Sequence, residues 1–143
     1  MSDLPQWLKL RNALWPGALA MHRREMRKML RDARNQPVWV AEAGNTLTGF
    51  LEVSVRNYAE GAGRTDVDYL EGWYVKPEYR KQGVGRGLVI EAEQWAVRRG
   101  FTHMASDTEL DNEVSLKAHL AMGYREVERG IHFAKRLKSK GRR

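Results

Sequence analysis

The sequence predicts an α/β fold built on a mixed β-sheet. The first observation is the order of periodic segments, which reads helix, three strands, helix, strand, helix and two strands. The second is the connections, because a short turn joins the first two strands whereas helices separate the later ones, and these two connections favour antiparallel and parallel pairing respectively. The third is the length of 143 residues, which suits one domain over residues 1–143.

The first half of the chain is predicted to hold one helix and three strands. Apolar residues at helical spacing predict a helix that enters at Pro16 and runs to about Arg34. An Asn-Gln-Pro stop follows it, and alternating apolar residues then predict strands over residues 38–43 and 46–58, joined by a Gly-Asn turn. A third strand is predicted over residues 67–75.

The second half is predicted to add two helices and a short strand. A helix follows a glycine-rich loop and ends at Gly100, and a strand then covers residues 102–107. The next helix has Asn112 or Asp111 as its N-cap and runs to Met122.

The C-terminal segment is predicted to close the sheet. Two strands, residues 124–128 and 131–137, form a pair in this interpretation, and residues 138–143 form a frayed basic tail.

Composition excludes several kinds of site. The chain has no cysteine, which excludes disulfides, thiolate metal sites and a cysteine nucleophile. Its four histidines are too scattered to predict a zinc site, so we expect no metal. We expect no membrane association and a cytoplasmic location, since no apolar run reaches the ~18 residues of a span and the first residues do not resemble a secretory signal.

The distribution of charge is more informative than its sum of +7. Residues 36–75 carry two basic and six acidic side chains, and residues 106–128 carry the same numbers. A nucleic-acid-binding protein usually gathers basic groups around its working site, so we expect no specific nucleic-acid partner. The basic tail allows at most weak, non-specific attraction.

A basic, glycine-rich loop lies between a strand end and a helix start. In Arg80-x-x-Gly83-x-Gly85, backbone N–H groups, the helix N-terminus and the side chains of Arg80, Lys81 and Arg86 converge on one region. This pattern predicts a pyrophosphate site, and the alternative is a glycine-rich turn with solvated arginines. It is not a P-loop and it is a poor dinucleotide fingerprint.

Two motifs together resemble the GNAT superfamily of N-acetyltransferases. The first is Arg80-x-x-Gly83-x-Gly85 after a strand that ends at Val75. The second is Asn112-x-x-Ser115-x-x-x-His119-x-x-x-Gly123-Tyr124. The resemblance implies one acetyltransferase domain with a GNAT-like mixed sheet flanked by helices, a splayed central strand pair, and acetyl-CoA as co-substrate. The usual first strand of the superfamily is absent or abbreviated here.

Further segments narrow the resemblance to the aminoglycoside 6'-N-acetyltransferases. It covers about residues 7–137 and is carried by Leu10-Arg11-x-x-Leu14-Trp15-Pro16, Tyr69 to Val75, Ala105-Ser106-Asp107 and Gly123-Tyr124-x-Glu126-x-Glu128-Arg129.

The resemblance implies a set of cofactor-binding residues. Backbone groups of the third strand bond the pantetheine arm, the Val75 N–H polarises the thioester carbonyl, and the loop holds the pyrophosphate. The implied residues are Trp73, Tyr74, Val75, Arg80, Lys81, Gln82, Gly83, Val84, Gly85, Arg86 and Asn112.

The resemblance also implies an acceptor pocket lined by Trp15, Tyr58, Glu71, Asp107 and Glu128. The two acidic segments agree with this independently, because aminoglycosides are polycations and attract acidic sites. An acceptor amine must be bound as a cation and then lose a proton. Glu71 and Asp107 can do the first directly, and either can do the second through a water.

His119 departs from the family pattern, in which a tyrosine at this position protonates the leaving thiolate. The alternatives for His119 are a general acid or a helix residue that only packs locally. Transfer is expected to be direct, in a ternary complex, because no cysteine is present to carry the acetyl group.

Other functions stay open at this point. The same fold serves enzymes that acetylate a protein N-terminus or a polyamine. A module that binds CoA or nucleic acid without turnover is a further alternative. The resemblance implies a homodimer, and the sequence does not show which aminoglycosides, or which amine in the host, are accepted.

Overall fold

A computed structural model describes residues 2–63 and 65–141, and its centre is a four-stranded mixed sheet. The strands stand in the order β1 (Val38–Ala43), β2 (Thr46–Arg56), β3 (Val67–Val75) and β4 (Met104–Ser106). The first two pairs are antiparallel and the last is parallel. The predicted α/β class is confirmed, although β2 and β4 are shorter than predicted.

Four helices flank this sheet: α1 (Leu4–Leu14), α2 (Leu19–Arg31), α3 (Val84–Arg98) and α4 (Glu113–Ala121). A single turn of 3₁₀-helix, Pro77–Tyr79, precedes α3. None of the described helices combines the length and apolar character that crossing a bilayer requires.

The prediction for the N-terminal region is wrong in two respects. The helix predicted from Pro16 to Arg34 begins at Leu19 and ends at Arg31, and a separate helix, α1, precedes it. A proline in its first turn suits α1, and its Trp7 and Leu10 are buried. The usual first strand of the family is not formed within residues 2–37.

Both faces of the sheet are covered, which explains the nearly continuous burial of β2. On one face, α1 and α2 pack against Phe50 and Leu47. On the other face, Leu88, Val89 and Ala92 of α3 pack with Leu51, Val53 and Leu70. Neighbouring residues Phe50 and Leu51 therefore belong to opposite sides of the core.

The parallel pair of strands separates along its length. β3 and β4 pair only from Asp68 with Met104 to Leu70 with Ser106. Residues 71–75 of β3 continue with β2 on one side, and on the other side they have no strand partner among the described residues. The expected splayed central pair is confirmed.

The predicted closing strands, residues 124–128 and 131–137, are not formed. Described residues 125–141 are neither helix nor strand, and Ile131, Phe133 and Leu137 are 77%, 92% and 80% exposed. A strand needs an edge to join, and the neighbouring β4 is only three residues long. Residues 138–141 are exposed, and residues 142–143 of the predicted tail lie outside the described part.

A buried ion pair connects α1 to the centre of the sheet. Arg11 Nε lies 3.1 Å from Glu52 Oε1, and the two side chains are 5% and 2% exposed. Arg11 also donates a 2.8 Å bond to Glu25. Burial outweighs the attraction of Arg11 and raises the pKa of Glu52 to about 7.

We expect Glu52 to make the folded state less stable as pH rises from about 4.5 through about 7. The folded protein binds a proton in that window that the unfolded chain has released, so ionisation costs up to about 3 kcal/mol. Urea unfolding of wild type and Glu52→Gln at about pH 5 and about pH 8 measures this. The unfolding free energy of wild type, relative to that of Glu52→Gln, should be lower at about pH 8 than at about pH 5.

Exposed Glu91 on α3 provides the control, because Glu91→Gln removes the same charge without burial. A wild-type–Glu52→Gln difference that is equal at the two pH values would contradict the buried, partly protonated Glu52.

Candidate functional site

The open edge of β3 presents the backbone of Val75. The N–H of Lys76 donates a 2.8 Å bond to Thr48 O of β2. Because successive N–H groups of a strand point to opposite edges, the N–H of Val75 points to the open edge. The carbonyl of Val75 faces the same side and accepts a 2.8 Å bond from Arg80 Nε. An oxygen atom placed in the gap can therefore accept a bond from the Val75 N–H.

The N-terminus of helix α3 follows the strand and presents backbone N–H groups. Gly83 is the N-cap of α3 at φ +85°, a conformation that favours glycine, and Lys81 has φ +62°. The first bond into the helix runs from Gly87 N to Gly83 O, so the preceding N–H groups, those of residues 84–86, have no partner within the helix. The charges of Arg80, Lys81 and Arg86 add to this positive end, as a pyrophosphate requires.

Several other predicted cofactor residues are held by contacts within the protein. The indole N–H of Trp73 donates to Gly85 O at 3.2 Å and ties β3 to α3. Gln82 donates to Glu78 O at 3.1 Å. Asn112, rather than Asp111, caps α4 by accepting a 3.0 Å bond from Ser115 N. Tyr74 lies beneath the Arg80 guanidinium, 5.5 Å from it.

A β-bulge places Glu71. Glu52 pairs with Gly72 and Val53 pairs with Leu70, so Glu71 is the extra residue of β3. Such a bulge re-aims a side chain. It lets Leu70 and Trp73 both pack towards α3, while Glu71 stays on the face that carries Tyr69.

On that face, Glu71 belongs to a cluster of polar side chains. Ser54 Oγ donates to its Oε1 at 2.5 Å. Arg56 of β2 donates from Nε to Oε1 at 2.7 Å and from Nη2 to Oε2 at 2.6 Å. The Arg56 guanidinium also lies 3.6 Å from the centre of the Tyr69 ring, and Tyr69 donates to Asp107 Oδ2 at 2.7 Å. The two predicted carboxylates, Glu71 and Asp107, are thus brought into one cluster.

The protonation states of this cluster follow from its contacts. Burial and the bond to Asp107 raise the pKa of Tyr69 well above its ordinary value, so the phenol keeps its proton. The bonds to Glu71 raise the pKa of Arg56, which stays a cation. Described residues contain no group of three or more ligands arranged for a metal ion.

Trp15 lies on the same face as Glu71. Its ring edge would come within 2.3 Å of a Cβ atom at position 72, so Gly72 is needed for the close approach of Trp15 to β3. The backbone of Trp15 is held by a 2.9 Å bond between its carbonyl and Nε2 of the buried His22.

The other two predicted acceptor residues are placed differently. Tyr58 is 49% exposed, and Glu128 lies in the exposed C-terminal segment. Among the described residues, neither side chain hydrogen-bonds to the cluster around Glu71. Val127 contacts the position of Gly61, which places Glu128 beside the loop that contains Tyr58.

His119 lies between the two strands where they separate. Its Nε2 is 2.7 Å from Ser106 Oγ at the end of β4, and its Nδ1 is 2.7 Å from Ser115 O. Its ring meets the Trp73 ring edge-on at 5.4 Å. His119 therefore contacts both walls of the gap.

Three side chains of the polar cluster around Glu71 were not identified from the sequence, namely Ser54, Arg56 and Tyr69. The first two share the polar phase of β2, which was a usable signal. Tyr69 lies two residues before Glu71, which is the spacing of one strand face and was a further usable signal.

Comparison with known proteins agrees with this geometry. The acetyltransferase (GNAT) family matches residues 6–124. An aminoglycoside N(6')-acetyltransferase type 1 of Klebsiella aerogenes is 45% identical over 141 residues, covering 95% of this chain and 92% of that protein. The enzyme of the same name from Acinetobacter baumannii is 38% identical, covering 95% and 94%.

Solved structures of aminoglycoside acetyltransferases are also similar to this chain. The apo aminoglycoside antibiotic 6'-N-acetyltransferase AAC(6')-IG of Acinetobacter haemolyticus superposes with a TM-score of 0.87 at 35% identity, covering 95% of this chain and 94% of that one. AAC(6')-Iy in complex with the bisubstrate analog CoA-S-monomethyl-acetylneamine gives 0.88 at 35% identity, covering 94% and 92%. The predicted resemblance is confirmed, and the chain belongs to the GNAT acetyltransferase family.

Proposed function

We propose that this chain is an acetyl-CoA-dependent N-acetyltransferase that modifies the 6'-amine of aminoglycoside antibiotics and so confers resistance. The observation that carries the proposal is the acidic cluster next to the open edge of β3. Its two carboxylates are Glu71, on β3, and Asp107, directly after β4. The names of relatives up to 45% identical over most of the chain support it. Residues 1–143 act as one acetyltransferase domain, in the cytoplasm where acetyl-CoA is made.

The open edge of β3 forms the acetyl-CoA side of the proposed site. Backbone groups of residues 73–75 bond the pantetheine arm, and the loop and helix start at residues 80–86 hold the pyrophosphate. The Val75 N–H donates to the thioester oxygen and stabilises the negative charge that develops there. Asn112 contacts the co-substrate from the start of α4.

The transfer is direct within a ternary complex. The acceptor amine nitrogen attacks the thioester carbonyl carbon, the new C–N bond forms, and the C–S bond breaks with its electron pair leaving on sulfur. The proton lost by the amine passes through water to Glu71 or Asp107, and the thiolate takes a proton from His119 or water. Trp15, Tyr58 and Glu128 complete the acceptor pocket.

Release of free CoA from acetyl-CoA with different acceptors tests the proposal. We expect fast turnover with kanamycin and tobramycin, which bear a 6'-amine, because the acidic cluster attracts polycations. An analogue with a 6'-hydroxyl should be at least about 100-fold slower, since the amine is the nucleophile. Glu71→Gln should lower kcat/KM for tobramycin by about 100-fold or more.

Spermidine and a short peptide serve as the competing acceptors. Turnover with only these would retain the family and reject the antibiotic. Unchanged kcat/KM in both Glu71→Ala and Asp107→Ala would reject the acceptor site assigned here.

The hydrogen bonds of His119 predict which of its ring nitrogens carries the proton in the neutral form. Ser115 O only accepts hydrogen bonds, so the Nδ1 atom at 2.7 Å from it carries the proton, and Nε2 accepts from the Ser106 hydroxyl. A proton can then reach the leaving sulfur only from the imidazolium form or from water. Nitrogen-15 NMR of the ring at neutral or higher pH should show a protonated Nδ1 and a bare Nε2.

Ser106→Ala is the control, because it removes the hydrogen-bond partner of Nε2 and leaves Ser115 O in place. The proton should therefore stay on Nδ1 in this variant. A proton on Nε2 in the wild-type protein would contradict this tautomer and make the neutral ring a direct donor.

We also propose a homodimer in which residues 125–141 of each chain bind the partner. Ile131, Phe133 and Leu137 are 77%, 92% and 80% exposed, and monomeric proteins rarely leave such apolar segments uncovered. Residues 129–143 carry seven basic and no acidic side chains, which complements the acidic segments of a second copy.

Light scattering after size-exclusion chromatography should give a dimer for the wild type. Phe133→Glu should raise the dimer Kd at least about tenfold, because a charge would enter the interface. Val97→Glu, at an apolar position of α3 that is 72% exposed, is the matched control and should stay dimeric. A monomeric wild type, or a Phe133→Glu variant that dimerises as tightly, would refute this interface.

A further inference from the structure

The acidic acceptor cluster contains a cation of its own. Arg56 holds both oxygens of Glu71 at 2.7 and 2.6 Å, and its guanidinium stacks at 3.6 Å on the Tyr69 ring. Such a bidentate, stacked arginine is fixed in orientation. A pocket for polycations that places an arginine on its principal carboxylate needs a physical explanation.

Arg56 leaves Glu71 able to bind an amine. A carboxylate offers about four acceptor positions. Ser54 and Arg56 Nε use two of them on Oε1, and Arg56 Nη2 uses one on Oε2. One position on Oε2 therefore stays available, and an acceptor amine can bond there without displacing Arg56.

The charges around this position determine how readily the bound amine loses its proton. Glu71 and Asp107 both stabilise a bound ammonium, which is the form that cannot attack the thioester. Tyr69 keeps its proton and adds no charge. Glu52, on the same strand as Arg56, is paired with Arg11 and has its pKa raised to about 7. Among the described residues, Arg56 is the cation that hydrogen-bonds to the cluster.

We propose that Arg56 is a fixed counter-charge that weakens the hold of Glu71 and Asp107 on the protonated acceptor amine and thereby favours the loss of its proton. This rests on the proposed function. The proton passes to water and on to a carboxylate, as in the transfer described above. Arg56 is a positioning residue, since it acts on the amine through Glu71 and through space.

A counter-charge and a purely structural role predict opposite changes in KM when Arg56 is replaced, although both predict a lower kcat. Removing the positive charge should strengthen ground-state binding of the ammonium and lower KM. It should also keep the amine protonated and lower kcat, because binding energy that favours the unreactive form opposes the reaction.

The experiment is the pH dependence of kcat with tobramycin, from about pH 6 to about pH 10, for wild type, Arg56→Gln and Arg56→Lys. We expect Arg56→Gln to move the midpoint of the acidic limb upward by about one pH unit, to lower KM several-fold and to reduce kcat near neutral pH about tenfold. Arg56→Lys keeps the charge and should restore the wild-type midpoint.

Matched variants separate charge from folding. Arg27→Gln removes one exposed positive charge from α2 and should leave the profile unchanged. Arg56→Met retains an aliphatic stem over Tyr69, and it should show the same shift as Arg56→Gln, which makes it the substitute if Arg56→Gln does not fold.

An unshifted midpoint in Arg56→Gln and Arg56→Met, with KM raised and kcat lowered, would overturn the counter-charge and leave the acetyltransferase proposal intact. A midpoint that moves equally in Arg56→Lys would also overturn it. Absence of wild-type turnover with every 6'-amine would overturn the proposed function and this assignment with it.

Discussion

The structure depends on a parallel strand pairing that lasts for only three residues. β3 and β4 separate after Leu70 and Ser106. The His119 ring meets Ser106 on one wall and Trp73 on the other. The open edge, the outward N–H of Val75 and the nearby start of α3 all follow from this separation, and together they form the acetyl-CoA side of the proposed site.

A second departure from regular pairing creates the acceptor side. Glu71 shares the face of Tyr69, where Ser54 and Arg56 of β2 hold it, and the bulge sends Trp73 to the opposite face. The carboxylate is 31% exposed, so it is accessible to a ligand although it is firmly bonded. The same face receives the Trp15 ring, which requires glycine at position 72. Without the bulge, Trp73 would continue on the face of Glu71 and would not pack towards α3.

Sequence patterns predicted the parts of the fold that local periodicity determines. The four strands β1 to β4, helices α3 and α4 and the loop between Val75 and Gly85 were found because each has a strong pattern or a defined cap. The helix α1 was missed because a charged residue, the buried Arg11, interrupts the face that carries Trp7, Leu10 and Leu14. The strands predicted after Tyr124 have the right alternation, yet alternation cannot show whether an edge exists for them to join.

The site was predictable to the extent that its residues belong to motifs. Arg80, Gly83 and Gly85 are adjacent in sequence and mark the acetyl-CoA side directly. Glu71 and Asp107 were identified through the family resemblance and the acidic segments. Arg56 was not, because its contacts with Glu71 and Tyr69 come from the pairing of β2 with β3, which its own segment does not show.

The two sides of the proposed site differ in how many segments of the chain contribute to them. The proposed acetyl-CoA side is drawn mainly from one continuous stretch, residues 73–86. The acceptor side combines a residue before α2, two strands and the segment after β4. Most of these contributions come from outside the segment that carries the Val75 N–H. A single fold can therefore keep its acetyl donor while the charge and shape of its acceptor pocket change, and a fixed cation such as Arg56 is one means of adjusting that charge.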